Sequence, residues 1–231
     1  MHKKIGIIGG LSPESTVSYY LHMTRSYAER FGDYGYPHII IYSVNLEQYH
    51  RWRHEEQWDF IAEDLIAAAK CLQKAGADFG LIATNTMHKV FGPVQNAVDL
   101  PLIHIIDATT VKAKAMGLQR LGLLGTRYTM SDGFYHDRIR QSGLTVIVPD
   151  PADQAIVHRI IVDELVRGRV VESSRQTYRR VIDELVRRGA EGIILGCTEI
   201  PLLVKPPDAP VPLLDTAAIH ADAALEYALR A

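Results

Sequence analysis

The chain has 231 residues, 47% of them hydrophobic, and a formal net charge of -2. That length suits one large domain or two domains of about 110 residues, with enough apolar residues for a substantial core. The charge gives no reason to expect binding to nucleic acid or to an anionic membrane surface. Two cysteines do not make a disulfide framework, so we expect a reduced, cytoplasmic protein. We expect no signal peptide and no bilayer-spanning segment.

Short apolar runs alternate with helical segments along the whole chain. The runs are apolar without alternation, which is typical of parallel strands covered on both faces. We predict strands at 4–9, 38–44, 79–84, 102–105, 121–125, 144–148, 192–196 and 211–214. We predict helices at 13–31, 55–75, 86–97, 107–116, 131–142, 152–167, 173–188 and 216–230. This order indicates an α/β protein of βαβ units with parallel sheets.

Three pairs of segments repeat in the same order, at offsets of 116, 113 and 111 residues. The pairs are Ile5–Gly10 with Leu121–Thr126, Gly76–Thr86 with Gly189–Glu199, and Leu100–Ile103 with Val211–Leu214. Ordered repeats at a nearly constant offset indicate a duplicated α/β unit of a little over 100 residues. The last strand and helix could close either sheet, and we expect the tail to return to the first domain. The predicted domains are 1–107 plus 208–231, and 108–207.

In parallel α/β sheets, ligands bind beyond the carboxyl ends of the strands. That rule selects five segments, namely Gly9–Ser12, Asn45–Arg51, Thr84–Thr86, Gly125–Thr129 and Cys197–Glu199. Several of them place a hydroxyl or an amide beside backbone N–H groups at a helix start. Such positions hold anions, because the N–H groups are unpaired and the dipole end is positive. A carboxylate would fit there without a metal.

Cys197 is the strongest candidate for chemistry. A cysteine between a strand end and a helix has its thiolate favoured by the helix N-terminus, and free cysteine titrates near about 8.5. The alternative is a small packing residue. Thr84 holds the matching position in the first half, and its hydroxyl is not a base unless something takes its proton. His88, four residues further on, could assist, although a local packing or capping role is favoured.

The segment around residue 50 is basic. His50 and His54 have helical i, i+4 spacing, but the segment is first interpreted as a charged entrance loop and helix start, so we expect no metal. Arg51 and Arg53 are candidate clamps for a carboxylate, with a solvated charged face as the alternative. The first glycine-rich turn lacks the spacing of a dinucleotide fingerprint, so no nucleotide cofactor is expected.

Four motifs carry a family resemblance. They are Ile8–Ser15, Thr84–His88, the Leu-Leu-Gly-Thr that ends at Thr126, and Gly196–Ile200. Together they resemble the aspartate/glutamate racemase family, the cofactor-independent amino-acid racemases, over essentially the whole chain. The resemblance implies two pseudo-symmetric, Rossmann-like three-layer α/β domains with the active site in the cleft between them. It also implies a small amino-acid substrate and a homodimer.

The resemblance further implies one catalytic cysteine in each half. The second corresponds to Cys197, whereas the first corresponds to Thr84, which departs from the two-cysteine pattern and resembles a threonine-bearing branch. The implied reaction is racemisation of aspartate or glutamate, with Cys197 on one face of Cα, Thr84 on the other, and the L enantiomer preferred. The expected substrate-binding residues are Gly10, Ser12, Arg51, Asn85, Thr86, Thr126, Thr129, Arg167, Thr198 and Glu199. Arg51 and Arg167 would contact the side-chain carboxylate.

Two other functions fit the same residues. A single-cysteine decarboxylase of the same superfamily would protonate one face of an enediolate after losing carbon dioxide, although the polar residues at these strand ends argue against an aryl substrate. A protein that binds acidic amino acids with little turnover would explain the weak base at Thr84.

Overall fold

The computed structural model describes residues 2–230. Its first sheet contains β1 (Ile5–Gly9), β2 (Ile39–Ser43), β3 (Phe79–Ile82) and β4 (Leu102–Ile103), in the order β2-β1-β3-β4. Its second sheet contains β5 (Arg120–Gly125), β6 (Thr145–Ile147), β7 (Gly192–Gly196) and β8 (Leu213–Asp215), in the order β6-β5-β7-β8. All strand pairs are parallel. The predicted fold of two similar α/β halves with parallel sheets is confirmed.

The helices fill the segments between strands. They are α1 (Pro13–Phe31), α2 (Leu46–His54), α3 (Trp58–Lys74), α4 (Phe91–Asn96), α5 (Ile105–Ala115), α6 (Arg127–Ser131), α7 (Gly133–Gln141), α8 (Pro151–Asp163), α9 (Glu172–Arg187), α10 (Ile200–Leu203) and α11 (Thr216–Leu229). The segment predicted as an entrance loop and helix start is helical throughout as α2, which begins because the Asn45 side chain accepts hydrogen bonds from the N–H groups of Glu47 and Gln48. The predicted helix 86–97 starts as a 3-10 turn, Thr86–Val90.

The strand register shows the duplication directly. Ile5 lies opposite Phe79 in the first sheet, and Leu121 lies opposite Gly192 in the second. These pairs are related by the same offsets that relate the sequence motifs. The next strand follows the same rule, since Gly80 pairs with Leu102 and Ile193 with Leu213. The two sheets therefore repeat in strand order and in register.

Two matching turns, Gly76-Ala77-Asp78 and Gly189-Ala190-Glu191, explain why this register repeats. Gly76 and Gly189 have φ angles of 86° and 95°, a left-handed conformation that favours glycine. Two residues later, Asp78 accepts a hydrogen bond from the Lys4 N–H at 2.6 Å. Glu191 accepts one from the Arg120 N–H at 3.0 Å. Each acid thus fixes the start of the first strand against the turn that leads into the third.

The chain divides into two compact units. The first contains the residues up to Ile105 together with the segment from Ala217 onward, and the second contains Ile106–Thr216. The predicted assignment of residues 208–216 to the first domain is wrong, because β8 pairs with β7 of the second sheet. The chain therefore returns to the first unit only with helix α11.

Apolar helix faces cover the sheets. In the first unit, Tyr19 and Met23 of α1 and Leu225 of α11 pack with Ile7 and Leu81 on one face of the sheet. Helices α3 and α4 cover the other face. In the second unit, α8 and α9 pack on the face that carries Leu124, Ile193 and Leu195. Each fully buried Leu, Ile or Met contributes about 1.5–3 kcal/mol to folding. Among residues 2–230, no helix is long and apolar enough to cross a membrane.

Candidate active site

Cys197 follows β7 directly and lies beside a buried acid. Its thiol Sγ donates a hydrogen bond to Glu199 Oε2 at 3.0 Å. The Thr198 hydroxyl donates to the same oxygen, also at 3.0 Å. Glu199 is only 6% exposed, whereas Cys197 is partly exposed. The structure thus brings three predicted site residues together around one carboxylate oxygen.

This arrangement differs from the helix-terminus setting that the sequence suggested for Cys197. Helix α10 is a single turn that begins three residues later, and its first amide, Ile200 N–H, donates to the Cys197 carbonyl rather than to the sulfur. A buried carboxylate disfavours a second negative charge next to it. The Cys197 thiol is therefore paired with a carboxylate side chain and not with a helix terminus.

Tyr178 is a neighbour of Cys197 that the sequence gave no reason to select. Burial, followed by the charges of Cys197 and Glu164, raises the pKa of the Tyr178 hydroxyl well above its ordinary value of 10. The ring packs in the apolar cluster against which Cys197 lies, and its hydroxyl donates to the Val157 carbonyl at 3.5 Å. Tyr178 is therefore an uncharged side chain that packs beside Cys197.

Thr84 occupies the matching position after β3, and its backbone is held on both sides. The Thr84 N–H donates to the Ile82 carbonyl at 2.8 Å. The Thr84 carbonyl accepts from Nδ1 of His88 at 2.8 Å. Asn85 and Thr86, which follow, are 3% and 5% exposed. Thr84 is thus placed by backbone contacts, whereas Cys197 has a side-chain hydrogen bond in addition to the one at its carbonyl.

His88 plays the local role that the sequence favoured. Its Nε2 lies 3.2 Å from the Ile105 N–H, which is a donor, so Nε2 accepts and the proton is on Nδ1. Burial, then the nearby rings of His104 and His220, lower the pKa of His88 well below its ordinary value of 6.5. A neutral ring with both nitrogens engaged does not act as the base that would take a proton from Thr84.

The loop after β1 carries Gly10 and Ser12. Gly10 has a φ of 77°, and a Cβ there would lie 2.4 Å from the Val44 carbonyl oxygen, so only glycine fits. The Gly10 N–H donates to the hydroxyl of Thr16 at 2.8 Å. The Ser12 hydroxyl caps α1 by accepting from the Ser15 N–H at 3.4 Å. Ser12 is partly exposed and remains a candidate for contact with a ligand.

The loop after β5 contains Thr126 and Thr129. Thr126 caps α6, accepting from the Thr129 N–H at 3.4 Å. Thr129 is fully buried, and its methyl group lies 2.9 Å from where a Cβ on Gly125 or Gly196 would be. In this structure Thr129 packs beneath the two strand ends, and it has no exposed surface with which to contact a substrate.

Strand neighbours bring these loops together within each unit. Gly125 pairs with Gly196, so Thr126 and Cys197 follow adjacent strands directly. In the first unit, Ile8 pairs with Ile82, which places the Gly10 loop and Thr84 after adjacent strands. In each sheet, polar residues therefore follow the carboxyl ends of two equivalent strands, β1 and β3 in the first sheet and β5 and β7 in the second.

The two predicted arginines lie on surfaces outside these loops. Arg51 is exposed in the last turn of α2. Arg167 is exposed at the end of a short 3-10 helix, Leu165–Arg167. His50 and His54 lie on α2 as well, and no group of three His, Cys, Asp or Glu side chains within residues 2–230 is arranged to hold a metal ion.

Known proteins share this fold. A putative Asp/Glu racemase from Yersinia pestis is 47% identical, with a TM-score of 0.93 over 99% of this chain and 100% of that one. An aspartate racemase homologue from Pyrococcus horikoshii OT3 is 39% identical, with a TM-score of 0.88 over the same shares. The broad specificity amino-acid racemase RacX of Bacillus subtilis is 26% identical over 220 residues, 93% of each chain.

The fold and these relatives define an isomerase of the racemase class. The model of the Asp/Glu/hydantoin racemase family matches residues 8–224, and the chain belongs to that family. The family resemblance noted in the sequence is confirmed.

Proposed function

We propose that this protein racemises aspartate or glutamate without a cofactor, by moving the Cα proton. Cys197 acts on one face of Cα, and Thr84 acts on the other. The observation that carries the proposal is positional, because Thr84 and Cys197 follow equivalent strands in two sheets of the same order and register. Membership of the racemase family supports the reaction type.

The pair formed by Cys197 and Glu199 supplies a base. When the thiol proton shifts to the Glu199 carboxylate, a thiolate remains next to a neutral carboxylic acid. The thiolate then takes the Cα proton, and the electron pair of the C–H bond moves into the substrate carboxylate to form an enediolate. Donors placed at the strand ends stabilise that charge, namely the hydroxyls of Ser12, Thr126 and Thr198 and the amide of Asn85.

Thr84 completes the reaction from the opposite face. Its hydroxyl donates a proton to the enediolate and recovers one from solvent, and Glu199 releases the former thiol proton to solvent, which restores both groups. A threonine hydroxyl donates a proton to a carbanion more readily than it abstracts one from a C–H bond at neutral pH. Removal of the proton by Cys197 is therefore the easier start, and we assign that face to the L enantiomer.

A constraint from equilibrium limits how this preference can appear. L- and D-amino acids have equal free energies in water, so kcat/KM must be the same in both directions. The preference for L therefore consists of a higher kcat together with a proportionally higher KM.

The substrate is assigned to the acidic amino acids, with Arg51 and Arg167 as the proposed contacts of its side-chain carboxylate. A guanidinium binds a carboxylate through two parallel hydrogen bonds, which suits this role. We place the reaction in the cytoplasm and in a homodimer, as the family resemblance implies, with no nucleic-acid or membrane partner.

The test is exchange of the Cα proton. L- and D-aspartate and L- and D-glutamate are incubated with the protein in deuterium oxide, and the Cα–H signal is followed by NMR together with the optical form. We expect exchange and inversion with at least one of these amino acids. Cys197→Ala should lower both by about a thousandfold, because a general base is lost. Cys71→Ala is the matched control, since Cys71 is an exposed cysteine on α3.

The outcomes separate the alternatives. Exchange at the parental rate in Cys197→Ala would contradict the proposal. Binding of aspartate without exchange would instead indicate a binding protein. Release of carbon dioxide from a malonate, without exchange of amino acids, would indicate a decarboxylase with one thiol.

A further inference from the structure

His88 joins three segments of the first unit. Nδ1 donates to the Thr84 carbonyl at 2.8 Å, and Nε2 accepts from the Ile105 N–H at 3.2 Å, where α5 begins. The ring stacks on Phe91, with centroids 5.5 Å apart and planes 8° from parallel. His88 is 3% exposed. The imidazole is thus a fixed bridge between the end of β3 and the residues after β4.

The chemistry of the ring determines which bonds it can make. A backbone N–H can only donate, so Nε2 must carry a lone pair, and Nδ1 must carry the hydrogen that Thr84 accepts. A protonated ring would set N–H against the Ile105 N–H. Only one tautomer of one neutral ring satisfies both neighbours.

The His88 bridge lies where the chain leaves the sheet after β3. Ala83 N–H donates to the Ile8 carbonyl at 2.9 Å, and this is the last bond between β1 and the chain that leaves β3. The next residue, Thr84, turns towards the 3-10 helix Thr86–Val90. The bond from His88 fixes the peptide plane between Thr84 and Asn85, and with it the direction of the Thr84 side chain.

We propose that His88 is a positioning residue for the Thr84 half of the reaction. It holds Thr84 where its hydroxyl can reach Cα, and it has no part in the Cys197 half. This inference rests on the proposed function and deepens it, because it names the group that sets the geometry of the second proton transfer.

The experiment compares the two halves in His88→Gln. The Gln amide can accept from the Ile105 N–H near the position of Nε2, but it places no donor at the position of Nδ1, so the bond to the Thr84 carbonyl is lost. Two rates are measured, namely racemisation of L-aspartate in deuterium oxide and alkylation of Cys197 by iodoacetamide, resolved by peptide mass spectrometry. We expect racemisation to fall about tenfold through kcat, since a misplacement of about 1 Å can cost up to a hundredfold. Alkylation of Cys197, and its protection by L-aspartate, should stay within about twofold of the parental values.

A matched control tests whether any buried histidine would behave in this way. His220 is fully buried, and its ring centroid is 5.9 Å from that of His88. It accepts from the Tyr19 hydroxyl at 2.9 Å and donates to the Ile103 carbonyl at 2.9 Å, without contact to Thr84. His220→Asn should lower the melting temperature while leaving kcat within about twofold.

A second variant guards against a folding defect. In His88→Asn, the shorter amide can still donate to the Thr84 carbonyl near the position of Nδ1, so this variant should recover part of the kcat that His88→Gln loses. If both His88 variants racemise L-aspartate at the parental rate, the inference is wrong. It is equally wrong if racemisation and the protection of Cys197 fall together, which would indicate general damage. If the unsubstituted protein shows no exchange with any of the four amino acids, the proposed function fails first and takes this inference with it.

Discussion

The carboxyl ends of β3 and β7 are equivalent positions in the two sheets, but the polar residue that follows each strand is held differently. Both follow the third strand of their sheet and carry a small polar residue at the first position after the apolar run. At β7, the side chain is held, since the Cys197 thiol donates to a buried carboxylate. At β3, the backbone is held, since the Thr84 carbonyl accepts from a buried neutral imidazole. The Cys197 contact is made by its side chain, and the Thr84 contact is made by its backbone carbonyl.

In the proposed reaction, the Glu199 carboxylate next to Cys197 is the acceptor of the thiol proton, and the sulfur starts the reaction. Thr84 has a fixed peptide instead, so in the same proposal its hydroxyl donates in a fixed direction. Substitutions at each strand end test this difference.

The largest expected effect is a loss of folding stability in acid, and it depends on two buried histidines of the first unit, His220 and His88. Burial lowers the pKa of His220 from 6.5 to about 4. The unfolded chain therefore takes up a proton below about pH 6.5, whereas the folded chain does so only near pH 4. Stability is complete above pH 6.5 and falls by about 3 kcal/mol as the pH drops to 4, with no further loss from this group below that. His88 acts in the same direction, because its pKa is also lowered.

Urea denaturation at pH 7, 6, 5 and 4 measures this loss. His220→Asn removes the titrating ring, so the variant should be less stable at pH 7 and should lose less stability on acidification than the parent. Parallel pH curves for parent and variant would show that His220 does not carry the effect.

The next effect tests the proton-sharing pair at β7. Glu199→Gln keeps an oxygen that can accept from the Cys197 thiol, but an amide cannot take the proton. We expect kcat to fall about a hundredfold with KM little changed, because a proton acceptor is lost rather than a binding contact. A rise in KM at constant kcat would show instead that Glu199 binds the substrate, which is the role that the sequence predicted. Thr198→Val is the companion variant, since it removes the hydroxyl that bonds the same oxygen and that is also a proposed donor to the enediolate.

The sequence predicted the parts of this molecule that depend on local pattern. The eight apolar runs and the constant offsets predicted both sheets, because strand register follows the same residues in each half. The pattern could not assign β8 to a sheet, since the motif around Leu213 resembles the end of the first half but says nothing about its neighbour. Helix α2 was missed because its start depends on one cap, Asn45, and its charged residues hide the apolar face formed by Tyr49 and Trp52.

The candidate site was predictable as a set of positions and not as a set of contacts. Strand ends selected Cys197, Thr198 and Glu199, but spacing along a turn does not fix where a side chain points. The thiol–carboxylate bond therefore had no sequence signal. Thr129 shows the same limit in reverse, because its place in the motif suggested a ligand contact and its burial shows packing.

The smallest expected effect comes from placing a thiol at the end of β3 as well as at the end of β7. Thr84→Cys puts a thiol where the hydroxyl stands, and a thiolate can take a proton that an alkoxide is rarely available to take. The step that gains is proton removal from the D enantiomer, so kcat with D-aspartate should rise about tenfold and kcat with L-aspartate much less. Because the enantiomers are equal in free energy, KM for D-aspartate must rise relative to that for L-aspartate in the same proportion. Thr84→Ser retains the hydroxyl and should keep the parental ratio of the two kcat values. An equal gain in both directions would mean that Thr84 does not face the D side of Cα. The two strand ends would then differ in their position relative to the substrate as well as in their side chains.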